Sequence, residues 1–109
     1  EMCIRDSTKT HLKWFRSNFL PDESMVKDPY VSPVFAPDLS GLPPAVVITA
    51  GFDLLRDEAK AYADRLDEAG VQTQYKEFSS EGHGFMYADT TKSVRQANAK
   101  ICEMFKPLI

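Results

Sequence analysis

The sequence predicts an α/β fold in which parallel strands and flanking helices form part of a larger, incomplete domain. Three observations carry this. Residues 45–50, Ala-Val-Val-Ile-Thr-Ala, form an apolar run without alternation, the pattern of a strand buried on both faces of a parallel sheet. An apolar repeat of helical period follows, then a second strand-like segment; strand, helix and strand in this order make a parallel crossover unit. Finally, two such strands cannot stand as a sheet by themselves, because buried strands need neighbours and helices on both faces. The run at 45–50 therefore asks for more strands than the sequence contains.

Composition bounds the rest. The chain has 109 residues, 43% of them hydrophobic and 27% charged, the balance of an ordinary globular chain and not of a disordered one. Thirteen basic against 16 acidic residues leave a net charge of −3, which argues against a phosphate-binding surface and so against a nucleic-acid partner. The apolar run at 45–48 is far short of the ~20 residues of a membrane span. Two cysteines and two histidines, with no Cys-x-x-Cys, fit neither a disulfide framework nor a zinc site. A reducing, cytoplasmic setting is the default expectation.

Residues 1–7, EMCIRDS, resemble the translation of a sequencing adapter and carry neither the basic nor the apolar region of a signal peptide. They are expected to be foreign, with residues 8–109 forming the C-terminal part of one domain. Cys102 is then the one native cysteine.

In residues 8–20, Leu12, Phe15 and Phe19 recur at helical spacing, so an amphipathic helix is expected to end before Pro21. Trp14 is expected in the core rather than in a cleft. Residues 21–44 hold prolines at 21, 29, 33, 37, 43 and 44, which remove donors and fix φ, so neither a long helix nor a central strand fits. Their apolar residues Tyr30, Val31, Val34, Phe35 and Leu42 suggest packing onto a larger body. Met25, Val26 and Tyr30 are read as ordinary packing residues in preference to an acyl pocket.

The strand at 45–50 is expected to break at Gly51-Phe52-Asp53. From residue 54, Leu55, Ala59, Tyr62, Leu66 and Ala69 mark one helix face. Asp57 and Glu58 occupy its first turn, where the helix dipole favours anions, and Gly70 is its stop. Residues 71–78 read as a more exposed strand and 79–89 as a loop. A last helix over 91–106 presents Val94, Ala97, Ile101 and Met104 on one face and ends before Pro107. Cys102 is expected to be a small buried hydrophobe, whereas His11, Lys92, Arg95 and Lys100 are expected in solvent.

Active sites of parallel sheets form beyond the C-terminal ends of the strands. Asp53 follows the first strand, and His83 lies in Glu-Gly-His-Gly-Phe after the second. A carboxylate beside an imidazole accepts Nδ1–H, fixes the tautomer and leaves Nε2 as a general base and then acid. Alone, Asp53 reads as a helix cap and His83 as a turn residue. Their placement at the ends of successive strands, acid before histidine, favours chemistry.

The string Leu42-Pro43-Pro44-Ala45, then Ile48-Thr49-Ala50-Gly51-Phe52-Asp53-Leu54-Leu55-Arg56-Asp57-Glu58, then Ala69-Gly70-Val71 and His83-Gly84-Phe85, resembles the hormone-sensitive-lipase-like esterases of the α/β-hydrolase fold. The likeness covers residues 12–106. It implies a serine carboxylic-ester hydrolase for short or medium acyl esters, with triad order Ser, acid, His. By position, Asp53 matches the triad acid and His83 the triad histidine. Asp57 matches a second acidic position at the helix start, and Phe85 is expected beside the histidine loop. The family's Gly-x-Ser-x-Gly elbow and His-Gly-Gly-Gly-type oxyanion loop have no counterpart in this sequence. The resemblance therefore implies an inactive piece of an esterase that needs no metal or organic cofactor, with a small-molecule ester as partner and homo-oligomerisation left open. The alternatives are a non-catalytic small-molecule receptor on the same fold and a stand-alone α/β interaction domain.

Overall fold

The computed structural model describes residues 9–87 and 90–109; the expectation for residues 1–7 lies outside them. Helix α1 spans Lys9–Phe19, strand β1 Ala45–Phe52, helix α2 Arg56–Glu68, strand β2 Thr73–Gly82 and helix α3 Lys92–Phe105. Between α1 and β1 the chain makes 3₁₀ turns at Glu23–Lys27 and Pro33–Phe35, in keeping with its prolines. β1 and β2 pair in parallel, from Ala45 opposite Thr73 to Ala50 opposite Phe78, and again at Phe52 opposite Gly82. The ladder is irregular between Ala50 and Phe52.

Both strands run further than the sequence pattern suggests. Gly51 and Phe52 lie in β1 instead of breaking it, and residues 79–82 belong to β2 instead of a loop. A glycine inside a strand often marks an irregularity of the ladder and not its end. Residues 79–82 lack an apolar pattern; of these, Gly82 is paired with β1, opposite Phe52. β1 is also less buried than a central strand: residues 45–48 are half-buried, and Thr49 and Ala50 are its buried positions. Among the described residues β2 is its one sheet neighbour, so its other edge stays open.

The core has two parts. Leu39, Leu66 and Val71 form a buried cluster against which Val47 and Tyr62 pack. It is shaped by the end of α2: Gly70 N–H donates to Asp67 O and Val71 N–H to Leu66 O. These are the two bonds of a Schellman stop, which brings the apolar residue after the turn back onto the last helical one. Arg65 adds a strap from α2, its guanidinium donating to the carbonyls of Val34 and Ala36. The second part is α3, whose buried residues are Val94, Ala97, Ile101 and Met104, the stripe the sequence predicts. Thr91 caps this helix, its hydroxyl accepting from Val94 N–H at 3.2 Å, and Gln74 of β2 donates to Met104 O at 2.9 Å.

Elsewhere apolar side chains stay in solvent. α1 forms as expected, yet none of its residues is buried, and Trp14 is 60% exposed instead of in the core. Tyr30 is 99% exposed, and Phe35 and Leu42 are exposed as well. Cys102 too is exposed; it sits one position past Ile101, which turns it off the buried stripe. The molecule measures 42 × 38 × 17 Å with a radius of gyration of 15.4 Å, against about 13 Å for a compact chain of this length. It is a thin plate with too little depth to cover its own apolar faces. No helix among the described residues is long and apolar enough to cross a membrane.

Candidate active site

Phe52 and Gly82 are paired at the C-terminal ends of adjacent parallel strands. The next residue on each strand is therefore delivered to the same edge, and these residues are Asp53 and His83. Asp53 Oδ2 lies 2.8 Å from His83 Nδ1. A carboxylate can only accept, so Nδ1 carries the proton and Nε2 offers its lone pair when the ring is neutral. The Asp53 side chain is 11% exposed and that of His83 50%, so the acid is sheltered while the imidazole reaches solvent.

The second oxygen of Asp53 has a separate task. Oδ1 accepts from Leu55 N–H at 2.9 Å, a side-chain turn that leads into α2. Asp22, Asp28 and Asp38 make the same contact to the residue two ahead. At Asp22 and Asp38 this backbone donor holds the carboxyl below its ordinary range. Asp53 is not the cap of α2, which is Leu55 with no side-chain cap bond; its Oδ1 holds the turn before the helix while its Oδ2 meets the imidazole.

The loop after His83 turns at Gly84, with φ 75°, into a 3₁₀ turn over Phe85–Tyr87. Phe85 packs on Phe78 of β2 with ring centroids 5.3 Å apart, beside the histidine loop as expected. Helix α3 holds the chain on both sides of His83: Asn98 Nδ2 donates to Met86 O at 3.3 Å, and the Ser93 hydroxyl donates to Glu81 near the end of β2. Ser93 and Asn98 were not legible as site residues, since polar residues on a helix carry no periodic signal, and the role of Glu81 depends on Ser93. Asp57 lies in the first turn of α2 and pairs with Arg56 at 2.9 Å. That contact is the main cause that raises the Arg56 guanidinium further above its usual range.

A cavity of about 250 Å³ opens beside the pair, lined by Asp53, His83, Phe85, Met86 and Tyr87 and floored by Ile48 and Ala50 of β1. Its apolar floor and two convergent polar groups have the make-up of a small-molecule site. Val26 lines a different cavity, with Phe15, Phe19, Leu20 and Val31, which shares no residue with the first. The parallel strands thus deliver a hydrogen-bonded acid and imidazole to one sheet edge, beside a cavity.

Comparison with known proteins gives this arrangement its place. A family model described as alpha/beta hydrolase fold matches residues 4–87. A carboxylic ester hydrolase, LipN, of Mycobacterium tuberculosis is 42% identical over 80 residues, covering 72% of this chain and 21% of that protein. An arylesterase of Saccharolobus solfataricus is 39% identical over 90 residues, covering 83% and 29%. Among solved structures, a hyperthermophilic esterase from the archaeon Pyrobaculum calidifontis superposes with a TM-score of 0.83 at 37% identity, over 92% of this chain and 33% of that one. The chain belongs to the alpha/beta hydrolase fold family, among its hormone-sensitive-lipase-like esterases. It spans between a fifth and a third of the length of these relatives.

Proposed function

We propose that the chain is the C-terminal part of a serine carboxylic-ester hydrolase for short or medium acyl esters, supplying Asp53 as triad acid and His83 as triad histidine. The observation that carries this is the 2.8 Å contact between Asp53 Oδ2 and His83 Nδ1, at the edge where two parallel strands end. In the complete enzyme a serine from outside this sequence attacks the ester carbonyl. His83 Nε2 takes its proton and passes it to the leaving alcohol, while Asp53 holds the ring and stabilises the imidazolium. Water, deprotonated by the same nitrogen, then releases the acid from the acyl-enzyme, and the serine recovers its proton. The oxyanion donors, worth about 10²–10³ in rate each, also lie outside this sequence. The open edge of β1 and the bare apolar faces of α1 support the reading of a piece that other segments would cover. By itself the chain is expected to be inactive.

The test is turnover of a p-nitrophenyl acyl ester by the complete protein and by its His83→Ala variant. A loss of about 10²–10⁴-fold, the share of a positioned acid–base group, is expected with the fold unchanged. Turnover near that of the parent overturns the assignment.

A further inference from the structure

The ladder between the strands holds an irregularity on which the pairing of Asp53 with His83 depends. Ala50 stands opposite Phe78 and Phe52 opposite Gly82. One residue, Gly51, thus separates these rungs on β1, while residues 79–81 separate them on β2. A straight ladder from Ala50 and Phe78 would set Asp53 against Glu81, a carboxylate against a carboxylate. The two extra residues of β2 bring His83 to that place. Being even in number, they also keep the side chains on their original faces, since a slip of one would reverse them.

The extra residues need room, and Gly51 gives it. A Cβ on Gly51 would lie 2.6 Å from both the Cα and the carbonyl carbon of Ser79, and closer still to the Ser79 oxygen. These are backbone atoms, which cannot swing aside as a side chain does. On the other side, Arg56 Nη1 donates to Gly51 O at 2.9 Å, fixing this peptide from the start of α2. Glu81, moved out of line with Asp53, accepts from Ser93 of α3.

We propose that Gly51 is a positioning residue for the acid–imidazole pair: its missing Cβ lets the Ser79 backbone cross β1, so that β2 passes two extra residues and presents His83 to Asp53. The importance of this for catalysis rests on the esterase reading; the geometric claim does not. In solution it is read by long-range proton–nitrogen NMR of the His83 ring in the 109-residue chain. The parent shows an Nδ1-protonated tautomer with a downfield Nδ1–H resonance, and Asp53→Asn defines its loss. Gly51→Ala abolishes that resonance while α3 amide signals persist. Deleting Ser79 and Ser80 in the Gly51→Ala background restores a straight ladder with His83 opposite Asp53, and the resonance returns.

If Gly51→Ala does not fold, the deletion variant decides alone. A resonance retained in Gly51→Ala, or absent from the deletion variant whether folded or not, overturns the proposal. In the complete protein Gly51→Ala lowers kcat by about 10²-fold, the cost of a small misplacement of reacting groups, with KM unchanged. Failure of the complete protein to hydrolyse esters would sink the function and leave the ring signals intact, so the two failures are told apart.

Discussion

Replacing Asp53 by asparagine separates the two tasks of its carboxylate. The Oδ1 contact to Leu55 N–H, 2.9 Å in the parent, needs only an acceptor, which the asparagine carbonyl supplies. The turn into α2 therefore survives, and with it the fold. At the other position an NH₂ group replaces Oδ2 and faces His83 Nδ1. Two donors cannot share a hydrogen bond, so the imidazole moves its proton to Nε2. The lone pair is then on the wrong nitrogen, and the serine has no base. In serine hydrolases with the same acid–imidazole contact this exchange costs about 10⁴ in kcat, which is about 5.5 kcal/mol at about 1.36 kcal/mol per decade. The assay is p-nitrophenyl acyl ester turnover by the complete protein, with circular dichroism to show that the variant is folded. Asp53→Ala should lose the same activity and in addition about 1 kcal/mol of stability, because the hydrogen bond from Leu55 N–H goes too. A folded Asp53→Asn enzyme within about tenfold of the parent would show that the contact does not hold the tautomer.

Leu66 is 2% exposed within the cluster of Leu39 and Val71, so Leu66→Ala should cost about 2–5 kcal/mol in urea unfolding; a change below about 1 kcal/mol would mean that the cluster is not a core. Thr91→Ala removes the acceptor that caps α3 and should lower stability by about 1 kcal/mol. Amide exchange should quicken first in the opening turn of α3, and uniform quickening along the helix would contradict a local cap.

The pair at the sheet edge was legible because two independent patterns converge on it. The unalternating run at 45–50 marks a parallel strand, parallel strands end at functional edges, and an acid and then a histidine follow successive strands. The stripe Val94, Ala97, Ile101 and Met104 was legible because a helix face against a sheet repeats with a fixed period. What escaped was set by pairing and not by pattern. Residues 79–82 are polar and show nothing of a strand until β1 lies beside them. Gly51 reads as a breaker, because the chain that crosses it is 28 residues further on. Trp14 and Cys102 were misplaced because apolar character indicates what gains from burial, whereas actual burial needs a surface to pack on. α1 has no such surface here, and Cys102 lies beside its helix stripe instead of within it.

The link from Asn98 to Met86 and from Ser93 to Glu81 ties the histidine loop to the last helix of the chain. That helix is held to the sheet by one apolar stripe, by the Gln74 contact to Met104 and by the Ser93 contact to Glu81 of β2. Warming that loosens this attachment would release the imidazole while β1 and β2 remain joined. Heat would then silence such an enzyme below the temperature at which its secondary structure melts, with the C-terminal helix acting as the fuse.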